Sequence, residues 1–124
     1  MQQLGYSQSE QSLLANIAAV RKAGGEIFIA ENSGKVLGCV CAIIDVRLAE
    51  GKQGEIVSLV VSEDHRGLGL GKGLVSNAEN WLFQRTDIIR VRANHMRTEA
   101  HKFYQGMGYE EVKSQKVLTK KAMP

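Results

Sequence analysis

The stretch Val61-Ser62-Glu63-Asp64-His65-Arg66-Gly67-Leu68-Gly69-Leu70-Gly71-Lys72-Gly73 constrains this chain more than any other. It follows the apolar run Glu55–Val61, which reads as a strand buried on both faces. It precedes Leu74, Ala78, Trp81 and Leu82, which recur at helical period. Glycines accept positive φ without steric cost, so successive backbone N–H groups can turn toward one point. The helix start adds unpaired N–H groups and a partial positive charge. A strand, a glycine loop and a helix in this order form a pocket for phosphate oxygens, with Arg66 and Lys72 at its edge. The bland alternative is a glycine-rich turn into a helix that holds no ligand.

The rest of the chain supplies a sheet for that unit. Ser7-Gln8-Ser9-Glu10 has capping-box spacing, and Leu13, Leu14, Ile17, Ala18 and Val20 recur helically before Gly24-Gly25. Two β segments, Glu26–Glu31 and Val36–Asp45, flank the polar turn Asn32-Ser33-Gly34-Lys35 and read as a hairpin. Val46–Gly54 reads as a charged loop. After the glycine loop and its helix, Ile88–Ala93 is a short β run, and Thr98–Met107 is helical up to Gly108. Tyr109–Val112 and Lys116–Thr119 read as final strands. Passage from Glu55 to Ala93 is a βαβ crossover and predicts a parallel pair, while the hairpins predict antiparallel neighbours. The expected fold is therefore α/β in the α+β sense, a mixed sheet with helices packed on it. At 124 residues without a linker or repeat, residues 1–124 are expected to form one domain.

Neither common nucleotide motif is met. Aligned on Gly71-Lys72, the P-loop pattern requires glycine where Arg66 stands and Ser or Thr where Gly73 stands. The pattern G-x-G-x-x-G fails from Gly67 at Lys72 and from Gly69 at Leu74. Arg66-Gly67-Leu68-Gly69-Leu70-Gly71 does fit R-x-x-G-x-G. With Leu59-Val60-Val61 before it, Asn94 after it, and Ala100-His101-Lys102-Phe103-Tyr104 followed by Gly108-Tyr109, the chain resembles the GNAT superfamily of acyl-CoA N-acyltransferases. The resemblance runs from about Gly25 to Lys121 in the order of elements.

That resemblance implies a GNAT-like, mostly antiparallel sheet with a central parallel strand pair and flanking helices. It implies acetyl-CoA as co-substrate, with an amine as acceptor. The pantetheine arm would lie where Leu59, Val60 and Val61 splay from the parallel neighbour. Arg66, Gly67, Leu68, Gly69, Leu70, Gly71 and Lys72 would hold the pyrophosphate, and Asn94 would hydrogen-bond the arm. Tyr104 matches the tyrosine that many members use as general acid, although packing beside Phe103 and Met107 is its alternative role. Glu55, in Glu55-Ile56-Val57-Ser58-Leu59-Val60-Val61, holds the offset of a catalytic glutamate in some members. Burial would raise its pKa toward that of a base. A water chain, with Glu55 merely at a strand end, is the other possibility. His101 is a candidate cofactor contact, and packing its competitor; His95 is placed toward the acceptor, and His65 is expected to be exposed beside the loop.

Other function classes find little footing. A formal charge of +3 with scattered Lys and Arg and no aromatic-rich basic patch gives no reason to expect nucleic acid. No apolar run approaches a membrane span, and Met1–Gly5 lacks a secretory signature, so a cytoplasmic protein is expected. The three histidines lack neighbouring ligands at metal spacing, so no metal is expected. Cys39 and Cys41 share one strand face among apolar neighbours and read as small core residues in a reducing compartment.

One departure from the family stands out. Members normally begin with a strand and a helix before the helix at Ser7–Ala23, and this sequence is expected to lack that N-terminal strand-helix unit. Glu26–Glu31 would then lie near an exposed edge, and a homodimer is expected to cover it. Val46–Gln53 is expected to border the acceptor site. Two functions compete: acetyl transfer from acetyl-CoA to a primary amine of a small molecule or peptide by direct attack in a ternary complex, and a catalytically inactive acyl-CoA-binding module acting through protein contacts. A nucleotide-binding domain is the third reading, against which the failed motifs argue.

Overall fold

The computed structural model describes residues 10–92 and 98–123. The chain divides into two compact units, Met1–Arg92 and Ala93–Pro124. The first holds helix α1 (Glu10–Lys22), strands β1 (Glu26–Asn32), β2 (Lys35–Arg47) and β3 (Gly51–Val61), helix α2 (Leu70–Phe83) and strand β4 (Ile89–Val91). The second holds helix α3 (Thr98–Gly106).

The sheet runs in the order β1-β2-β3-β4, antiparallel twice and then parallel. The β1–β2 hairpin closes through Ser33 and Gly34, both at positive φ (52° and 79°), the geometry that matches the right-handed twist of the strands. β3 lies between β2 and β4, as its two apolar faces predict. The expected mixed sheet with a parallel crossover pair is what forms; β4 is the last strand of the described sheet.

Helix α2 packs on β2 and β3. Leu74, Val75, Ala78 and Leu82 of the helix and Val40, Ala42 and Ile56 of the strands form the buried core. Fully burying one such aliphatic chain contributes about 1.5–3 kcal/mol. Two glycines allow the close approach. A Cβ on Gly38 would lie 2.9 Å from the Val60 carbonyl oxygen and 3.1 Å from Leu74 Cδ1. A Cβ on Gly54 would lie 2.9 Å from Leu82 Cδ2. Below Leu82, Thr86 Oγ1 donates to the Leu82 or Ile88 carbonyl, each 3.2 Å away, and ties the helix end to the start of β4.

Several expectations change. The charged run 46–54 is a loop only at 48–50: β2 and β3 extend into it from either side, pairing Asp45 with Gln53, Val46 with Lys52 and Arg47 with Gly51. An antiparallel ladder satisfies its backbone in solvent without burying side chains, so polar composition does not end it. Cys39 and Cys41 are half-buried on the face turned from α2, whereas Val40 and Ala42 between them are core. Burial raises both thiol pKa values. No strand forms over 109–123; Val112, Val117 and Leu118 have strand-forming side chains but are exposed. Ser7, of the expected capping box, lies outside the described residues.

Candidate functional site

The edge of β3 that faces β4 defines the site. Parallel pairing covers Gly54–Ile89, Glu55–Arg90 and Ile56–Val91. It stops there, while β3 continues to Val61 and Arg92 is no longer strand. Among the described residues β4 pairs with no residue of β3 beyond Ile56. On the other side the ladder steps from Cys41–Val57 to Cys39–Val60, so Val40 faces both Ser58 and Leu59. This is a β-bulge, and Ser58 sits in it at φ 59°. A non-glycine residue held there costs about 1–3 kcal/mol, which the surrounding pairing must support. The bulge falls just past the last parallel pair, and a bulge bends the strand that carries it.

β3 leads into the glycine loop. Buried Ser62 donates its N–H to the Leu37 carbonyl at 2.7 Å, anchoring the exit to β2. A short 3-10 turn, Glu63–His65, follows. His65, expected exposed, is half-buried with Nδ1 3.4 Å from Ser62 Oγ. Exposed Arg66 donates from Nε to the Val61 carbonyl at 3.2 Å. Gly67 and Gly69 both stand at φ 82°. Gly69 is the N-cap of α2 and offers no side-chain cap. The first helical bond runs from the Gly73 N–H to the Gly69 carbonyl at 3.1 Å, so the N–H groups of Leu70, Gly71 and Lys72 have no helical acceptor. No acidic side chain stands in that first turn, where one would ordinarily offset the dipole. The loop thus presents donors and positive charge, as an anion site requires.

Glu55 is only 6% exposed, on the sheet face opposite α2. Arg90, its partner in register, donates to Glu55 Oε1 from Nε at 2.9 Å and from Nη2 at 2.6 Å. Nη2 also reaches Asp45 Oδ2 at 2.7 Å, and Nη1 lies 3.4 Å from Gln53 Oε1. Arg47 Nε donates to Asp45 Oδ2 at 2.8 Å, and Arg92 Nε stands 3.5 Å from Glu55 Oε1. Burial opposes the Arg90 charge, yet hydrogen bonds to Glu55 and Asp45 outweigh it and raise its pKa. Hydrogen bonds from Arg90 and then Arg47 lower the Asp45 pKa.

In the second unit α3 carries His101 and Tyr104, both half-buried. The Tyr104 ring meets Phe103 and Tyr109 edge-on, with centroids 5.1 and 5.6 Å away. Gly108 at φ 96° ends the helix, and the Tyr109 N–H returns to the Tyr104 carbonyl at 3.0 Å. Asn94 and His95 lie outside the described residues. Sequence reading missed Asp45 and Arg90, because strand register is not written in one sequence. The Ser58 bulge had no sequence signal either. Among the described residues no group of His, Cys, Asp and Glu could hold a metal ion. No described helix is long and apolar enough to cross a membrane.

These features place the chain among known folds. Residues 2–109 match the acetyltransferase (GNAT) family. The chain is 35% identical over 106 residues to N-acetyltransferase family 8 member 2 of Rattus norvegicus, covering 80% of this chain and 46% of that protein. It is 32% identical over 90 residues to an uncharacterised N-acetyltransferase of Methanocaldococcus jannaschii, covering 69% and 53%. The aminoglycoside acetyltransferase AAC(6')-Iy, solved with a CoA-linked bisubstrate analogue, superposes with a TM-score of 0.83 at 21% identity, covering 97% of this chain and 86% of that one. The chain belongs to the GNAT acetyltransferase family, and it spans about half the length of these two curated relatives.

Proposed function

We propose that residues 1–124 form one N-acetyltransferase domain that moves an acetyl group from acetyl-CoA to a primary amine by direct attack in a ternary complex. The observation that carries this reading is the end of parallel pairing at Ile56–Val91, followed by a bulged strand that leads into uncapped helix N–H groups. The β4-side edge of β3 at Leu59, Val60 and Val61, past the last parallel pair, would accept the amide-bearing arm. The loop Arg66 to Lys72 would hold the diphosphate. Membership of the family and the CoA-linked ligand of AAC(6')-Iy support the same co-substrate.

For the chemistry, Glu55 is proposed as the base that takes a proton from the acceptor ammonium. The neutral nitrogen then attacks the thioester carbonyl carbon, the adduct's nitrogen loses its second proton, the C–S bond breaks, and the leaving sulfur takes a proton. Tyr104 is proposed as that acid on the family's sequence frame, with His101 and Asn94 as cofactor contacts on the same basis. The outer edge of β1 carries no strand among the described residues, which supports pairing with a second copy. Light scattering that shows only a 13.6 kDa species rejects the dimer.

Calorimetry with acetyl-CoA, followed by thiol release with a panel of primary amines, tests the reading. Binding with turnover supports the enzyme; binding without turnover of any amine favours the silent acyl-CoA-binding module. Equal or stronger stabilisation by ATP or NAD favours a nucleotide-binding domain.

A further inference from the structure

The guanidinium of Arg90 does something to Glu55 that a solvent-facing strand end would not need. All the bonds that reach the Glu55 carboxylate from Arg90, and the nearer approach of Arg92, fall on one oxygen, Oε1. Two donors of a rigid planar fork on one oxygen pin that oxygen, and burial to 6% exposure limits how far the rest of the carboxylate can turn about it. The fork is itself fixed from two other strands, by Asp45 of β2 and Gln53 of β3. Asp45 in turn is held by Arg47. These groups span β2, β3 and β4 at the level of the short parallel pairing, one residue before its last pair, Ile56–Val91.

We infer that Arg90 is a positioning residue for acetyl transfer: it holds Glu55 by Oε1 and leaves Oε2 as the oxygen that receives the acceptor's proton, with Asp45 holding Arg90 in that pose. The inference rests on the proposal that Glu55 is the base. A rotating carboxylate would spend little of its time aimed at the acceptor, and a displacement of about 1 Å at a reacting group can cost on the order of a hundred-fold in rate. The pairing also ties the three-residue β4 to β2 and β3, so its structural share has to be separated from its catalytic one.

The experiment compares wild type with Arg90→Gln, Arg90→Lys, Asp45→Asn, Glu55→Gln and the double variant Arg90→Gln/Glu55→Gln. Each is melted, titrated with acetyl-CoA, and assayed by thiol release with the best amine of the panel from neutral to alkaline pH. Arg90→Gln is expected to lower kcat on the order of ten-fold or more, with acetyl-CoA affinity unchanged. Arg90→Lys keeps the charge without the fork and is expected to recover part of the loss. Asp45→Asn is expected to give a smaller fall that leaves Glu55 untouched. The double variant is expected to be no slower than Glu55→Gln alone, because removing the positioned group removes the value of positioning.

Full kcat in Arg90→Gln beside a slow Glu55→Gln overturns the inference and leaves the base standing. Additive losses in the double variant, or a loss that tracks melting and acetyl-CoA affinity alone, also overturn it by showing a structural tie. Unchanged kcat in Glu55→Gln removes the base itself and the inference with it. Coenzyme binding without turnover of any amine removes the enzymatic reading and this role of Arg90 together.

Discussion

Replacing Gly69 with alanine tests the backbone geometry of the loop without touching any neighbour. Gly69 stands at φ 82° and ψ 4°, and nothing lies within 4 Å of where its Cβ would be. The whole penalty is therefore conformational, about 1–2 kcal/mol for an L-residue in the left-handed region. Gly73, four residues on, also has no atom within 4 Å of a built Cβ, but it sits inside α2 at ordinary helical angles. Alanine there should stabilise by about 0.5–1 kcal/mol. The same chemical change thus has opposite signs one helical turn apart, with a gap of roughly 1.5–3 kcal/mol. Urea denaturation followed by far-UV circular dichroism reads this directly, since a slope of about 1–3 kcal/mol/M puts the two midpoints on the order of 1 M apart. Gly69→Asn is expected to fall between them, because asparagine tolerates the left-handed region better. If Gly69→Ala and Gly73→Ala shift stability in the same direction by similar amounts, the loop does not hold the conformation that aims its N–H groups.

Two further outcomes follow from the core and the charges. Leu82→Ala removes a fully buried side chain beneath Gly54 and should destabilise by about 2–5 kcal/mol in the same urea assay; a loss under about 1 kcal/mol would mean that α2 does not pack there as described. Asp45 and Glu26 both have lowered pKa values, Asp45 through Arg90 and Arg47, and Glu26 through the Ile27 N–H and then Arg21. Their contribution is fully present above the ordinary carboxylate range and is lost as pH falls through the lowered values, so stability should decline with acid below about pH 4. Asp45→Asn with Glu26→Gln should flatten that decline in urea melts taken across acid pH, and an unaltered slope would refute the pairing.

The elements legible in the sequence are those whose burial is periodic. Val40 and Ala42 alternate with half-buried neighbours, and Leu74, Ala78 and Leu82 recur at helical spacing, so sheet and crossover helix can be read directly. Gly67 and Gly69 likewise announce their positive φ by residue type. What escaped depends on partners rather than on local pattern. The hairpin past Asp45 is polar and exposed, the Ser58 bulge is specified by the ladder on either side, and Arg90 becomes a site residue only because parallel register sets it opposite Glu55. Val112, Val117 and Leu118 show the converse, since strand propensity without a pairing partner gave no strand.

Isothermal titration of the full chain with acetyl-CoA tests most directly whether the bulged end of β3 and the uncapped start of α2 bind this co-substrate. Saturable one-to-one heat is expected, and it should weaken strongly when Arg66 and Lys72 are both changed to alanine. No heat, or heat indifferent to that double substitution, would contradict the assignment of the loop as the diphosphate site.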